Sequence, residues 1–452
     1  MALNHKANTM PDDSGSGAME TEQSAKHSGK FRQPNKTNLG VSQRLACFAT
    51  VATSLLLPSD RAMADGNSAI PTFGDEVAFL QQHVDLVLLR DASGQAQVAV
   101  VPEFQGRVMT STAAGPDGLS FGWTNHELIA SGQRQTHINV FGGEDRFWLG
   151  PEGGQYSIFF RPHSPFDLEH WQTPEPIDWG AWNVVRRTDT AVVFQKEMEL
   201  SNYSAAHFQL RVDREIRLLS QKQIATALGM PLGDRVSVVG YESDNRVTNL
   251  GQQAWNKQTG LLSIWILGMF HPSPQTTVVA PFRTDAAGGS GPIVNDAYFG
   301  KVPADRLQID ARQGILFFRA DGQHRCKIGI SPQRAKNVLG SYDARSGVLT
   351  LVQFTLPAGK ADYVNSMWEL QDAPYAGDVA NSYNDGPAEP GAKPFGPFYE
   401  LETSSPALAL GPAQSAGHRQ RTIHLQGPEK QLDVVSRRQL GVGLDTIKRA
   451  FP

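Results

Sequence analysis

The alternating stretch Phe208–Leu218 reads FQLRVDREIRL, and it decides the fold class. Apolar residues occupy every second position except one, and polar or charged residues fill the positions between them. Successive side chains of a β-strand point to opposite faces, so this alternation is typical of a half-buried strand. The exception is Arg214, which falls on the apolar face. A buried guanidinium needs a carboxylate or carbonyl partner, so we expect Arg214 to form a core ion pair or to contact a ligand.

Similar strand patterns recur along the body of the chain. Period-2 alternation predicts strands at Gln95–Val101, Ala191–Leu200 and Val348–Leu356. Leu261–Phe270 is apolar on both faces, which predicts a central strand covered by layers on either side. Helical patterns are limited to two short pieces, Asp75–His83 and Leu440–Arg449. Many strands with few short helices predict an all-β protein built as a large antiparallel sandwich.

The N-terminal region differs from the body, and we divide the chain into residues 1–64, 70–430 and 431–452. Residues 1–40 are polar and low in apolar residues, which predicts disorder. Arg44 precedes the apolar run Leu45–Leu57, which is shorter than the ~20 residues that span a bilayer. Ala62-Met63-Ala64 follows, so we predict a signal peptide, and a periplasmic or secreted protein without an integral membrane segment after processing. The alternative is a disordered tail before a short buried helix. Residues 70–430 are predicted to be one sandwich domain, and 431–452 a partly helical tail.

Charge and cysteine content exclude several classes of function. The 45 acidic and 41 basic residues leave a net charge of −4, so we expect no nucleic-acid partner. Cys47 would leave with the signal peptide and Cys326, in a strand-like stretch, would remain as a buried small residue.

Zinc-ligand spacing and nucleotide-binding glycine motifs are missing from the sequence, so neither a metal nor another cofactor is expected. Tyr241–Leu250 and Tyr375–Gly386, rich in Asn and Asp, are predicted loops, and a Ca²⁺ site there is an open alternative. The sequence does not determine the oligomeric state.

The densest group of polar residues lies in Phe141–Gln155, which reads FGGEDRFWLGPEGGQ. Its glycine pairs allow tight backbone paths and close approach of a ligand. A carboxylate, a guanidinium and an indole together suit a sugar, because charged groups bind hydroxyls and an aromatic ring stacks on the apolar sugar face. The candidate residues in this segment are Glu144, Arg146, Trp148 and Glu152. The alternative is an ordinary turn with an Arg–Glu ion pair.

Two further features are candidates for acid–base chemistry. Glu400 and Glu402 are two residues apart in a predicted strand, so their side chains share one face. Like charges so placed raise one pKa, which suits a general acid or base, although a solvated strand face is an equal alternative. His271 directly follows the predicted central strand, a position suited to proton transfer, but a lone histidine is more often structural.

Four segments, taken in order, resemble the galactose-mutarotase-like superfamily. Within it the chain is most similar to an uncharacterised bacterial family of secreted or lipoprotein-type proteins. The resemblance implies a large antiparallel β-supersandwich with a sugar site on its concave face. The segments are VVPEFQGRVMTST (100–112), FGGEDRFWLGPEGGQ (141–155), NYSAAHFQLRVDREIRLL (202–219) and FYELETSSPALALGPAQSAGH (398–418).

The resemblance also implies roles for individual residues. In aldose 1-epimerases, a glutamate between leucine and threonine is the base that acts on the anomeric hydroxyl, and Leu401-Glu402-Thr403 matches that context. The histidine acid of those enzymes precedes a tyrosine and a phenylalanine, and this chain has no such stretch. His271 lies in the same general region. Glu144 stands roughly where a histidine-glycine-glycine element would be.

Two classes of function follow, and both place Glu402 and the Glu144–Glu152 segment in one pocket. The first is a carbohydrate-active enzyme, an epimerase or a related activity, in which Glu402 takes a proton and His271 or Glu144 returns one. The second is a non-catalytic sugar-binding protein, or a structural envelope protein with a vestigial cleft. The missing histidine stretch favours the second class, and the paired carboxylates favour the first. The residues expected to hold the sugar are Arg107, Arg146, Trp148, Glu152, Asn245 and Glu400.

Overall fold

We describe a computed structural model of the chain over residues 70–284, 291–387 and 391–451. The described residues form eighteen strands and six short α-helices. The strands are β1 (Val87–Arg90), β2 (Gln97–Val101), β3 (Arg107–Thr112), β4 (Arg146–Gly150), β5 (Asn183–Arg187), β6 (Ala191–Ser201), β7 (His207–Leu218), β8 (Ser237–Asn249), β9 (Ser263–Phe270), β10 (Thr276–Pro281), β11 (Leu307–Asp310), β12 (Ile315–Arg319), β13 (Cys326–Ile330), β14 (Val338–Asp343), β15 (Val348–Phe354), β16 (Ala380–Asn384), β17 (Tyr399–Ser404) and β18 (Ser415–Gln426). The helices are α1 (Phe73–His83), α2 (His126–Ser131), α3 (Glu175–Asp178), α4 (Gln221–Leu228), α5 (Glu429–Leu440) and α6 (Leu444–Lys448).

The strands pair into three antiparallel sheets, which confirms the predicted all-β class. The ten-stranded large sheet has the order β11-β12-β10-β14-β15-β18-β8-β7-β6-β5. The five-stranded sheet, which we call the site sheet, has the order β13-β16-β17-β9-β4. Strands β1, β2 and β3 form a small third sheet. Most site-sheet neighbours are distant in sequence, so this sheet assembles through long-range pairing.

The main core lies between the large sheet and the site sheet. Alternate residues of β7, including Phe208, Leu210 and Val212, are buried, as the period-2 pattern predicts. Phe147 and Leu149 of β4 belong to the same core cluster. Every residue of β9 is buried, which confirms the prediction of a central strand covered on both faces.

Arg214 is buried in this core and binds a carboxylate, as its position in the alternating pattern predicts. Its side chain is 0% exposed, and its Nη2 lies 2.6 Å from Asp145 Oδ1. Its Nη1 donates to Asn245 Oδ1 at 2.6 Å, and its Nε donates to the Gly106 carbonyl at 3.1 Å. The first of the two alternatives, a core ion pair, is therefore correct.

The prediction of a loop at Tyr241–Leu250 is wrong, because nearly all of that segment belongs to β8. This strand pairs with β7 on one side and β18 on the other. Two of its polar residues, Ser243 and Asn245, are buried between the sheets and hydrogen-bond with Asp145 and Arg214. The other predicted loop is wrong in part, since Tyr375–Gly386 contains β16. Buried hydrogen bonds satisfy side chains that otherwise favour turns.

The C-terminal helices pack on the large sheet. Leu432, Val435 and Leu440 of α5 are buried in a cluster with β10, β12, β15 and β18 residues. Cys326 is buried in β13, as predicted for a small core residue. None of the helices in the described ranges is long and apolar enough to cross a membrane. The predicted signal segment lies outside the described residues, so export stays a prediction.

Candidate functional site

A pocket open to solvent lies on the face of the site sheet turned away from the core. Aromatic side chains form most of its wall, and charged side chains lie among them. The lining residues are Ile138, Val140, Arg146, Trp148, Glu152, Leu168, Trp171, Trp265, Leu267, Met269, Phe299, Arg325, Lys327, Trp368, Tyr383, Phe395, Phe398 and Glu400.

Strand register brings the charged residues together. Arg146 and Glu402 are both opposite Leu267 of β9, one from each side of that strand. Glu400 is opposite Tyr383 of β16, which in turn is opposite Lys327 of β13. Residues directly opposite each other in neighbouring strands share a face of the sheet. One face of the site sheet therefore carries all four charged side chains, although they come from distant segments.

Arg146 lies at the centre of the pocket floor. Its Nη2 lies 3.0 Å from Glu400 Oε1, and its guanidinium carbon is 4.0 Å from the centre of the Trp148 ring. The other two nitrogens, Nε and Nη1, are buried and have no hydrogen-bond partner in the described structure. The indole nitrogens of Trp148 and Trp171 are likewise buried without a partner. Unpaired buried donors are costly in protein interiors, so a group that accepts these hydrogen bonds would stabilise the site.

Glu402 lies next to Glu400 but is covered completely. Its Oε2 accepts hydrogen bonds from Lys327 Nζ at 2.8 Å and from Trp265 Nε1 at 3.0 Å. Its side chain is 0% exposed, whereas Glu400 lines the open pocket. The carboxyl that meets a ligand directly is therefore Glu400, and Glu402 lies behind it.

The pKa values of two acidic side chains of the pocket, Glu400 and Glu152, are raised, which favours their neutral forms. Burial raises the pKa of Glu400 to about 8, Arg146 acts against that shift, and the nearby charge of Glu402 adds to it. Burial also raises the pKa of Glu152, with Lys327 acting against it and Glu402 adding to it. Burial lowers the pKa of Lys327, but Glu402 and Glu152 outweigh that effect and leave its pKa above the ordinary value. Glu400 is therefore mostly protonated at neutral pH.

Glu400 gives the free energy of unfolding a pH dependence of defined sign. Its ordinary pKa is 4.5, whereas in the folded protein the pKa is about 8. Between these values folding requires proton uptake, so the stability of wild type falls as pH rises. Relative to Glu400→Gln, we expect wild type to lose more than about 1.4 kcal/mol, the equivalent of one pKa unit, from about pH 5 to about pH 8. Urea unfolding of both proteins at each pH measures this change.

The control for this measurement is Glu127→Gln, because the Glu127 side chain is 82% exposed. Its stability difference from wild type should stay constant over the same pH range. If the difference between wild type and Glu400→Gln is equally constant, the raised pKa of Glu400 is contradicted.

Four of the predicted site residues line this pocket, and Glu402 lies directly behind it. Glu144 does not reach the pocket, because the glycines before it turn the chain. Gly142 and Gly143 have φ angles of 93° and 103°, and β4 begins only at Arg146. Glu144 instead lies between the sheets and accepts hydrogen bonds from Ser111 and His424. It is 0% exposed there, which rules out the predicted contact with a pocket ligand.

The remaining three predicted residues also lie elsewhere. Arg107 is buried and donates to the Gly142 carbonyl at 2.9 Å and to Gln105 Oε1 at 3.0 Å. Asn245 is fixed by Arg214 in the core. His271 is half-buried beside Glu76, Gly122 and His126, and burial lowers its pKa. These placements are structural, because each side chain is held by packing or hydrogen bonds outside the pocket.

Sequence reasoning missed Lys327, Arg325 and Trp368. Lys327 is the second residue of β13, Arg325 lies just before that strand, and Trp368 lies in an irregular segment. A lysine within HRCKIGI was the one usable signal, because a charged side chain interrupts an apolar strand there. Among the residues described, no group of His, Cys, Asp and Glu side chains has an arrangement that could hold a metal ion.

The three antiparallel sheets and few short helices form a large antiparallel β-sandwich, as expected from the sequence. The chain belongs to the family described as a family of unknown function, DUF6786, whose model matches residues 71–451. Among curated proteins, no sequence matches this chain.

Several solved structures are similar to this chain. A protein from Escherichia coli K12 is 14% identical, with 76% of this chain and 99% of that chain covered and a TM-score of 0.46. The Slr1438 protein from Synechocystis sp. PCC 6803 is 12% identical, with 76% and 96% covered and a TM-score of 0.44. A galactose mutarotase-like protein from Lactobacillus casei ATCC 334 is 11% identical, with 76% and 100% covered and a TM-score of 0.41.

Proposed function

We propose that the protein binds a carbohydrate in the pocket over the site sheet. The observation that carries this proposal is the set of unpaired hydrogen-bond donors on an aromatic-walled floor. Arg146 has two such nitrogens, and Trp148 and Trp171 have one each. An unsatisfied buried donor costs about 1–3 kcal/mol, and sugar hydroxyl and ring oxygens accept hydrogen bonds of this kind.

The aromatic wall suits the apolar face of a sugar ring. Trp148 is buried and one of its faces is covered by Arg146, so it contributes mainly its ring nitrogen. Trp368 is half-buried and stacks against Trp171, with ring centres 5.9 Å apart. Because Trp368 is the more exposed ring of that pair, it is the better platform for sugar C–H groups.

Replacing Trp368 with alanine is expected to weaken sugar binding about tenfold, which corresponds to about 1.4 kcal/mol. The reason is loss of the apolar surface on which the sugar ring stacks. A screen of immobilised mono- and oligosaccharides would identify a ligand, and isothermal titration calorimetry would then compare wild type with Trp368→Ala.

The matched control is Trp179→Ala, since Trp179 is also a half-buried tryptophan but does not line the pocket. It should leave the affinity unchanged. If wild type binds no carbohydrate in the screen, the proposed function is wrong. If both alanine variants bind equally well, the pocket is not the site.

Proton transfer on the bound sugar is a second candidate function. The observation that favours it is the placement of Glu400 and Glu402 two residues apart on one face of β17, with a raised pKa at Glu400. Two neighbouring carboxyls, one of which holds a proton, can act as acid and base in turn. Glu400 would exchange a proton with a sugar hydroxyl, and Glu402, held by Lys327, would accept or return that proton from behind. This chemistry would suit an epimerase or a related activity.

A further inference from the structure

Arg325 is an unpaired cation at the side of the pocket. Its guanidinium carbon is 4.4 Å from the centre of the Phe299 ring and 5.5 Å from that of Phe395. Its Nε is buried without a hydrogen-bond partner. Over residues 70–284, 291–387 and 391–451, the structure contains no ion pair that involves Arg325. The two rings fix the position of the guanidinium and leave its nitrogens available to a ligand.

Each of the other basic residues of the pocket contacts a carboxyl group. Arg146 pairs with Glu400 at 3.0 Å, and Lys327 pairs with Glu402 at 2.8 Å. Glu152 also lines the pocket, but it forms no ion pair with Arg325 in the described structure. Burial raises the pKa of both Glu152 and Glu400, which reduces the negative charge available there. Arg325 is therefore the basic residue of the described pocket that no carboxyl group contacts.

We propose that the carbohydrate bound in this pocket carries an anionic group, and that Arg325 binds that group. This inference rests on the proposed carbohydrate site and narrows its ligand to acidic sugars. A uronic acid carboxylate and a sulfate ester share the required chemistry, because a planar guanidinium can donate two parallel hydrogen bonds to either.

The aromatic contacts of Arg325 explain why the position suits recognition of a charged ligand. Arginine side chains normally lose conformational freedom when they bind, but Phe299 and Phe395 already hold this one. The half-buried surroundings also weaken solvent screening, which strengthens attraction to an anion. A neutral hydroxyl would gain much less from the same guanidinium.

The test compares neutral sugars with their matched acids. Calorimetry would measure wild-type binding of glucose and glucuronate, galactose and galacturonate, and glucose 6-sulfate. We expect at least one acid to bind at least tenfold more tightly than its neutral partner. Arg325→Met, which retains an apolar side chain between the two phenylalanines, should remove that tenfold preference. It should change the affinity for the neutral sugar less than twofold.

The control variant is Arg437→Met, because Arg437 is an exposed residue of α5 outside the pocket. It should keep the full preference for the acid. Preference for glucuronate or galacturonate identifies a carboxylate ligand, and preference for glucose 6-sulfate identifies a sulfate ester. If neutral sugars bind as well as the acids, or if Arg325→Met keeps the preference, the inference is wrong while the carbohydrate site stands. If none of these sugars nor any in the broader screen binds, the proposed function itself is overturned.

Discussion

Replacing Arg214 with methionine is expected to lower the free energy of unfolding by about 3–5 kcal/mol, because the change breaks a buried ion pair and leaves a carboxylate behind. Arg214 and Asp145 are both 0% exposed, and their side chains are 2.6 Å apart. Burial raises the pKa of Asp145, and Arg214 is the largest influence that opposes this rise. Without Arg214, Asp145 keeps hydrogen bonds from Ser243 at 2.8 Å and Gln420 at 3.4 Å, but no cation.

Arg211→Met is a matched control on the same strand. Arg211 pairs with Asp213 at 3.0 Å, but its side chain is 34% exposed on the opposite face of β7. Exposed pairs of this kind contribute about 0–1 kcal/mol. Denaturant unfolding of wild type and both variants gives the comparison directly. If both variants lose the same small amount of stability, the buried pair does not contribute as its geometry indicates.

Much of the fold could be predicted from the sequence, because the alternation of apolar and polar residues within one strand indicates which of its side chains are buried. The Phe208–Leu218 pattern gives both the strand and the inward direction of Arg214 without knowledge of its neighbours. The same rule places Glu400 and Glu402 on one face. Alternation cannot predict strand order, since the site sheet pairs β4 with β9 and β13 with β16 although strands of the large sheet lie between them in sequence.

The missed and misplaced residues follow from that limit. Lys327 is a single charge in an otherwise apolar strand, and only its pairing with Glu402 shows why it is there. Glu144 has the same sequence parity as Arg146, but the turn at Gly142 and Gly143 precedes the start of β4. The polar residues of β8 suggest a loop from the sequence alone. Their hydrogen bonds with the buried Arg214 and Asp145 explain why they lie in a strand. For Lys327 and β8 the deciding contact is long-range, whereas for Glu144 it is the local turn that precedes β4.

Replacing Glu402 with glutamine is expected to reduce turnover by 10²–10⁴-fold if the protein transfers protons on its sugar, the usual contribution of a general base. Glutamine has nearly the same shape as glutamate but does not accept a proton, so residue 402 could no longer take up a proton from Glu400. Sugar binding should change less than threefold, because Glu402 is covered and Glu400 and Arg146 still face the ligand. Exchange between anomers, followed by NMR across common aldoses and uronates, measures turnover, and calorimetry measures binding.

Glu76→Gln is the control for the loss of a buried carboxylate. Glu76 is 2% exposed and pairs with His126 at 2.8 Å, outside the pocket, so its replacement should leave anomer exchange unchanged. A binding defect in Glu402→Gln as large as its turnover defect would instead indicate that Lys327, left without its carboxylate, has disturbed the pocket. If wild type binds sugar but does not accelerate anomer exchange on any of these sugars, Glu402 is not a base in that reaction. Its ion pair with Lys327 then serves to position the pocket floor, and the sugar-binding function stands without the catalytic one.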